Sequence, residues 1–255
     1  MILGVVQARM GSSRLPGKVM ADLGGRPVID RVVSRLRASA LVDEVVIATS
    51  TAPADDALEV WARSSGTRVI RGDEFDVLDR FHSALAEFPQ AEHLVRVTGD
   101  CPLIDPALVD EVVRLHLGTG ADFSANRLPP PARRTTPVGL DVEVARREAL
   151  ETAWRAAREP ADREHVMPFL YREPGRFRVS VSDMEEDLSG YRWTVDTPED
   201  LEAVRAIWAH LDGPLAGWAE VLAVVREHPE ISELNAQVAQ KHVDVVDERW
   251  RGGVG

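Results

Sequence analysis

Residues 2–20 read "ILGVVQARMGSSRLPGKVM", and this stretch decides the fold. Ile2–Val6 is a short apolar run rich in β-branched residues, too short for a helix, and it predicts a buried strand. The loop that follows carries Arg9, Arg14 and Lys18 among the breakers Gly11, Pro16 and Gly17. Pro27 then opens an amphipathic helix to about Arg37, with Val28, Ile29, Val32, Val33 and Leu36 at helical spacing. Strand, glycine-containing loop and helix make the first half of a βαβ unit.

The pattern repeats outward from there. Strands at Glu44–Thr49, Arg68–Ile70 and His93–Thr98 alternate with helices at Asp55–Ser64 and Val77–Glu87. Such alternation predicts an α/β protein with a mostly parallel, doubly wound sheet. Ligands of these sheets bind beyond the carboxyl ends of the strands. The loops Ala8–Lys18, Thr49–Asp55 and Gly99–Asp105 therefore share one rim. In the second half, Asp105 and Pro106 cap and open a helix to about Leu117, and the polar, broken stretch Leu128–Pro137 is a candidate substrate-side loop. A strand at Val142–Val144, helices at Glu148–Arg158 and Arg163–Tyr171, and a strand at Tyr191–Val195 follow. Thr197, Pro198 and Asp200 then form a capping-box pattern for a helix through His210. The chain divides into a body, residues 1–211, and a C-terminal helical tail, residues 212–255, with pieces at Trp218–Glu227 and Ile231–Val238. Trp218, Val221, Leu222 and Val225 recur at helical spacing, the pattern of a face that packs on the body or on a second copy.

Composition narrows the function classes. The 255 residues are 44% hydrophobic, enough for one large core. No run of eighteen apolar residues and no N-terminal leader pattern occurs, which points to the cytoplasm and away from a membrane. The single cysteine, Cys101, excludes an internal disulfide and a Cys-rich zinc site, and it reads as a small buried residue. A net charge of -12 argues against general nucleic-acid binding. Residues 1–37 nevertheless carry +5, which leaves -17 for residues 38–255. A cationic segment in an acidic chain is a focused anion site. Arg31, Arg35 and Arg37 read as solvated helix positions, so the weight falls on Arg9, Arg14 and Lys18.

The loop is not a P-loop of the kinase or GTPase type. Five residues instead of four separate Gly11 from Gly17, and Val19 stands where a magnesium-binding Ser or Thr belongs. What remains is a cradle of glycine-freed N–H groups and cations suited to a polyphosphate. In "VTGDCPLID", Val97–Asp105, Asp100 follows a buried strand and a glycine; in "WTVDTPED", Trp193–Asp200, Asp196 also follows an apolar strand. Alone, each is equally a turn aspartate. Two such aspartates beside a cationic loop suit metal-assisted attack on a nucleoside triphosphate.

The ordered motifs "QARMGSSRLPGK", "FDVLDRF", "RVTGDCPLIDP", "GLDVEV", "REHV" and "RWTVDTPEDL" resemble the cytidylyltransferase family that includes the SpsF-like spore-coat polysaccharide proteins and, more distantly, the CMP-sialate and CMP-Kdo synthetases. The resemblance covers roughly residues 1–211. It implies a Rossmann-like nucleotidyltransferase fold of the glycosyltransferase-A type, Mg²⁺ as cofactor, CTP as donor, a small-molecule acceptor and pyrophosphate release. Carried over onto this chain, the nucleotide loop falls on Ala8, Arg9, Gly11, Ser12, Arg14 and Lys18, with Arg71, Asp76 and Arg80 near the base and phosphates. The metal carboxylates fall on Asp100 and Asp196, which with Arg9 and Lys18 form the catalytic set. Asn126, Asp141, Glu143, Glu164 and His165 fall on the acceptor side. On the residues alone, Glu164 also reads as a solvated helix position and His165 as a helix-start histidine bonded to backbone. A symmetric homodimer is expected of a sheet enzyme of this size. The competing readings are a glycosyltransferase on the same fold, which would want an Asp-x-Asp motif where Asp100 is followed by Cys101 and Pro102, and a non-catalytic sugar-nucleotide-binding protein.

Overall fold

A central parallel strand meets apolar layers on both faces, and β1 (Ile2–Gln7) is built for that: Leu3 and Val5 enter one core cluster, Ile2 and Val6 the opposite one. The computed structural model describes residues 1–240; residues 241–255 of the expected tail lie outside the described residues. A loop and a small hairpin, β2 (Asp22–Leu23) with β3 (Arg26–Pro27), lead from β1 into α1 (Val28–Arg37). Then follow β4 (Glu44–Ser50), α2 (Asp56–Ser64), β5 (Arg68–Gly72), α3 (Val77–Glu87) and β6 (His93–Thr98).

β4 and β6 both run parallel to β1, on opposite sides of it, and β5 runs parallel to β4. The strand order therefore reverses at β1, and a crevice opens beyond Gln7 and Thr98, which pair in register. The remaining elements are α4 (Pro106–Thr119), β7 (Phe123–Ala125), β8 (Glu143–Arg146), α5 (Arg147–Ala156), α6 (Pro160–His165), α7 (Pro168–Tyr171), β9 (Val179–Val181), α8 (Pro198–Ala209), α9 (Trp218–Glu227) and α10 (Pro229–Glu233). They complete a seven-stranded sheet in the order β5-β4-β1-β6-β8-β7-β9, with β8 antiparallel to both neighbours. This is the mostly parallel sheet flanked by helices that the sequence predicts. One face is covered by α3, α5 and α7, the other by α1, α2 and α4. Among the described residues, no helix is long and apolar enough to cross a membrane.

Three expectations are corrected. Tyr191–Val195 forms only an isolated bridge, Val138 with Arg192, because the next backbone donors are used elsewhere: Leu140 N–H turns back to the Pro137 carbonyl and Val195 N–H goes to the Asp100 carbonyl. The helix expected over Arg163–Tyr171 is two helices. Pro168 has no N–H to continue the first, and the chain turns at Val166, whose φ is 71°. Arg35 does not solvate a helix face. It is fully buried and donates to the carbonyls of Ile104 (2.6 Å), Pro214 (2.7 Å) and Ala216 (2.5 Å). The segment after Gly213 thus lies against α1, while Val221, Leu222, Val225 and Ile231 share a third cluster with Trp193, Val195, Val204 and Ile207.

Candidate active site

The rim loops touch. Gly99 donates to the Gln7 carbonyl at 2.8 Å, and a Cβ there would stand 2.7 Å from Ala8 Cβ, so only glycine lets the loops after β1 and β6 approach this closely. The third loop supports the first: buried Asp55 accepts from Met10 N–H at 2.6 Å and from Ser50 N–H at 3.1 Å. Gly17 takes φ 74°, and the 3-10 turn Lys18–Met20 after it delivers Lys18 into the crevice.

There the Lys18 ammonium donates to Asp100 Oδ2 at 2.5 Å and to Asp196 Oδ1 at 2.7 Å. The two carboxylate segments are joined through the main chain as well, since Val195 N–H donates to the Asp100 carbonyl at 2.8 Å. Burial opposes the charge on Lys18, but the two carboxylates outweigh it and raise its pKa. Burial likewise opposes ionisation of Asp100, and Lys18 overrides it, holding that carboxyl below its usual range. Arg14 pairs with the other oxygen of Asp196, Oδ2, at 2.9 Å.

Two more cations face the same cavity, whose volume is about 830 Å³, ample for a nucleotide. Arg9 pairs with Glu74 at 3.1 Å. Arg80 is 1% exposed; its Nη2 reaches the Glu74 carbonyl at 3.4 Å, while its Nε and Nη1 are buried with no hydrogen-bond partner. Burial and the neighbouring Arg9 pull its pKa down to about 10. A buried guanidinium with two unmet donors is complementary to an anion that enters from the cavity. On the sheet, Arg96 donates to Gln7 Oε1 and pairs with Glu143, its register partner across β6 and β8. Arg127 pairs with Asp141 at 3.2 Å, and Arg134 also pairs with Asp141. Glu164 and His165 line the same cavity from the end of α6.

The sequence profile of the cytidylyltransferase family matches residues 3–243. The chain belongs to the cytidylyltransferase family. It is 34% identical to the spore coat polysaccharide biosynthesis protein SpsF of Bacillus subtilis, over 90% of this chain and 95% of that one. It is 31% identical to the 3-deoxy-manno-octulosonate cytidylyltransferase of Anaeromyxobacter dehalogenans, over 80% of this chain and 96% of that one. A solved cytidylyltransferase from Leptospira borgpetersenii superimposes with a TM-score of 0.86 at 30% identity, covering 94% of this chain and 98% of that one.

This cytidylyltransferase brings most of the expected site residues to one cavity: Ala8, Arg9, Gly11, Ser12, Arg14, Lys18, Arg80, Asp100, Asp141, Glu143, Glu164, His165 and Asp196 all line it. Three are placed elsewhere. Arg71 turns outward to Asp56 (2.8 Å) and Glu59 and braces the Ser50 carbonyl. Asp76 caps α3 through Asp79 N–H and pairs with Arg163. Asn126 is buried between the Leu140 carbonyl and Val142 N–H. Each has its polar groups engaged by the fold, and none of the three lines the cavity. Arg96 and Arg127 went unread in the sequence. A charged residue inside the apolar strand His93–Thr98 was the available signal for Arg96; Arg127 lies just before the broken stretch Leu128–Pro137 and had none of its own.

Proposed function

We propose that this cytidylyltransferase transfers CMP from CTP to a small acceptor, a sugar, a sugar acid or a phosphate or phosphonate, with Mg²⁺ as cofactor and release of pyrophosphate. The observation that carries the reading is the convergence of Asp100 Oδ2 and Asp196 Oδ1 on one positive centre, the Lys18 ammonium. A divalent cation suits the same point: the donors are hard carboxylate oxygens already aimed at a cation. Among the described residues no third His, Cys, Asp or Glu joins them, as expected where substrate phosphates supply the other ligands. When bound there, the ion would neutralise phosphate charge and align donor with acceptor.

The chain's own groups do the rest. Arg9, Lys18 and Arg80 offer positive charge to the triphosphate, and Gly11, Ser12 and Arg14 shape the loop around it. The acceptor oxygen attacks the α-phosphorus in line; the bond to the bridging oxygen breaks and pyrophosphate leaves with the electron pair. A phosphate or phosphonate acceptor attacks as the oxyanion it already is. A hydroxyl acceptor must give up a proton, and Asp141, Glu143, Glu164 and His165 are titratable groups that line the cavity. In this reading residues 1–211 carry the chemistry and the described part of the tail, residues 212–240, braces one edge of it, the enzyme is a homodimer, and it works in the cytoplasm. The test is pyrophosphate release with Mg²⁺, each of the four nucleoside triphosphates being offered against a panel of sugar acids, sugar phosphates and phosphonates. Release with CTP and one acceptor class supports the proposal; release of a nucleoside diphosphate from a nucleotide sugar instead overturns it.

A further inference from the structure

Asp196 uses its two oxygens differently. Oδ1 faces Lys18 and Asp100, whereas Oδ2 accepts from Arg192 Nη2 at 2.8 Å and pairs with Arg14. Arg192 does not line the cavity and has an 8% exposed side chain. It is gripped from behind. Its Nε and Nη2 donate to the two oxygens of Asp200, at 2.7 and 2.9 Å, and its Nη1 donates to Gln240 Oε1 at 2.5 Å. Asp200 is fully buried and accepts as well from Asp196 N–H, Thr197 N–H and Asn235 Nδ2. Asn235 Nδ2 also donates to the Arg192 carbonyl, at 3.0 Å.

A guanidinium is a planar fork that can hold one carboxylate with two nitrogens and still offer a hydrogen to another; an ammonium has no such fixed geometry. We infer that Arg192 is a positioning residue: locked on Asp200, it fixes the rotation of the Asp196 carboxylate so that Oδ1 alone faces the cation position, and the C-terminal residues Asn235 and Gln240 belong to that support. The inference rests on the reading of Asp100 and Asp196 as metal carboxylates. It also gives the segment beyond α10 a part in the active site. Anchoring α8 does not by itself call for Arg192, because Thr197 and Asp200 already cap that helix reciprocally.

The experiment measures Mn²⁺ binding to the full chain by electron paramagnetic resonance, with and without CTP, for the wild type, Asp196→Asn, Arg192→Lys and Asn235→Ala, together with Tm and metal-free CTP affinity. Arg192→Lys keeps the charge and is expected to keep metal-free CTP affinity while weakening Mn²⁺ binding about tenfold to a hundredfold. Asn235→Ala leaves Arg192 in place and should weaken Mn²⁺ binding in the same direction by less. Should Arg192→Lys fail to fold, Asn235→Ala decides. Unchanged Mn²⁺ affinity in the variants that fold, with Asp196→Asn impaired, overturns the role of Arg192 and leaves the metal reading standing. A wild type that binds no Mn²⁺ even with CTP, or an Asp196→Asn variant that binds it normally, overturns the metal reading and this inference with it.

Discussion

Asp100 and Asp196 lie almost a hundred residues apart in the chain, yet each sets one carboxylate oxygen against the same ammonium, at 2.5 and 2.7 Å. The sheet brings them together, because Asp100 lies at the start of the loop beyond β6 and Asp196 follows the segment whose Val195 N–H donates to the Asp100 carbonyl. Their shared partner Lys18 shows that the point between them is a place for positive charge. Asp100→Ala and Asp196→Ala should each cut pyrophosphate release by at least about a hundredfold, the scale of losing an electrostatic group at the reacting phosphate. Thermal unfolding should show both variants folded, and full activity in either would remove the carboxylates from the mechanism.

If Asp100 and Asp196 hold a divalent cation as proposed, Lys18 and the ion compete for one position. Lys18→Met should therefore bind Mn²⁺ in the absence of nucleotide more tightly than the wild type does, while losing CTP affinity and turnover. Titration followed by electron paramagnetic resonance reads the first effect and calorimetry the second. Equal metal affinity in the two proteins would mean that the ammonium is no obstacle to the ion.

Arg80 carries a cost in the empty protein. Its Nε and Nη1 are buried without partners, and burial pulls its pKa down to about 10. Replacing it with Met, which keeps the apolar stem and removes the charge, should leave Tm unchanged or higher while weakening nucleotide binding about tenfold or more. A fall in Tm with unchanged nucleotide affinity would assign Arg80 to the fold alone.

Acid stability turns on a site away from the cleft. His116 Nε2 lies 3.1 Å from His93 Nδ1, and His116 Nδ1 lies 3.1 Å from Ser124 Oγ. Burial, with His93 and Arg146 beside it, pulls the His116 pKa from 6.5 down to about 4. The unfolded chain therefore binds the proton first as pH falls. Stability is intact above about pH 6.5 and is lost between there and pH 4, by up to roughly 3 kcal/mol. Urea unfolding across that range should show the slope, and His116→Gln should flatten it.

The parallel half of the fold was legible because its signals are local: an apolar run, a breaker and a helical period within twenty residues. The cationic loop and Asp100 were legible for the same reason, each lying just past a strand, and Asp196 from the apolar run before it. What escaped depends on distant partners. Tyr191–Val195 has the composition of a strand, but Val138 offers it only one bridge. Arg71 and Asp76 sit close in sequence to Arg80, yet Glu59 and Arg163, from other helices, hold them away from the cavity. Arg96 joins the site through Glu143, forty-seven residues on.

Arg35 bears on the order in which the molecule assembles. Its first βα unit is the earliest part made, but the three carbonyls this guanidinium requires lie 69, 179 and 181 residues downstream, and the last two arrive only after every strand of the sheet. Until Pro214–Ala216 is synthesised, α1 must either leave Arg35 hydrated and its packing unfinished or bury an unsatisfied cation. Chain termination upstream of that segment should therefore give a product with an open N-terminal half and ready susceptibility to proteases, even though most of the parallel sheet has already been made.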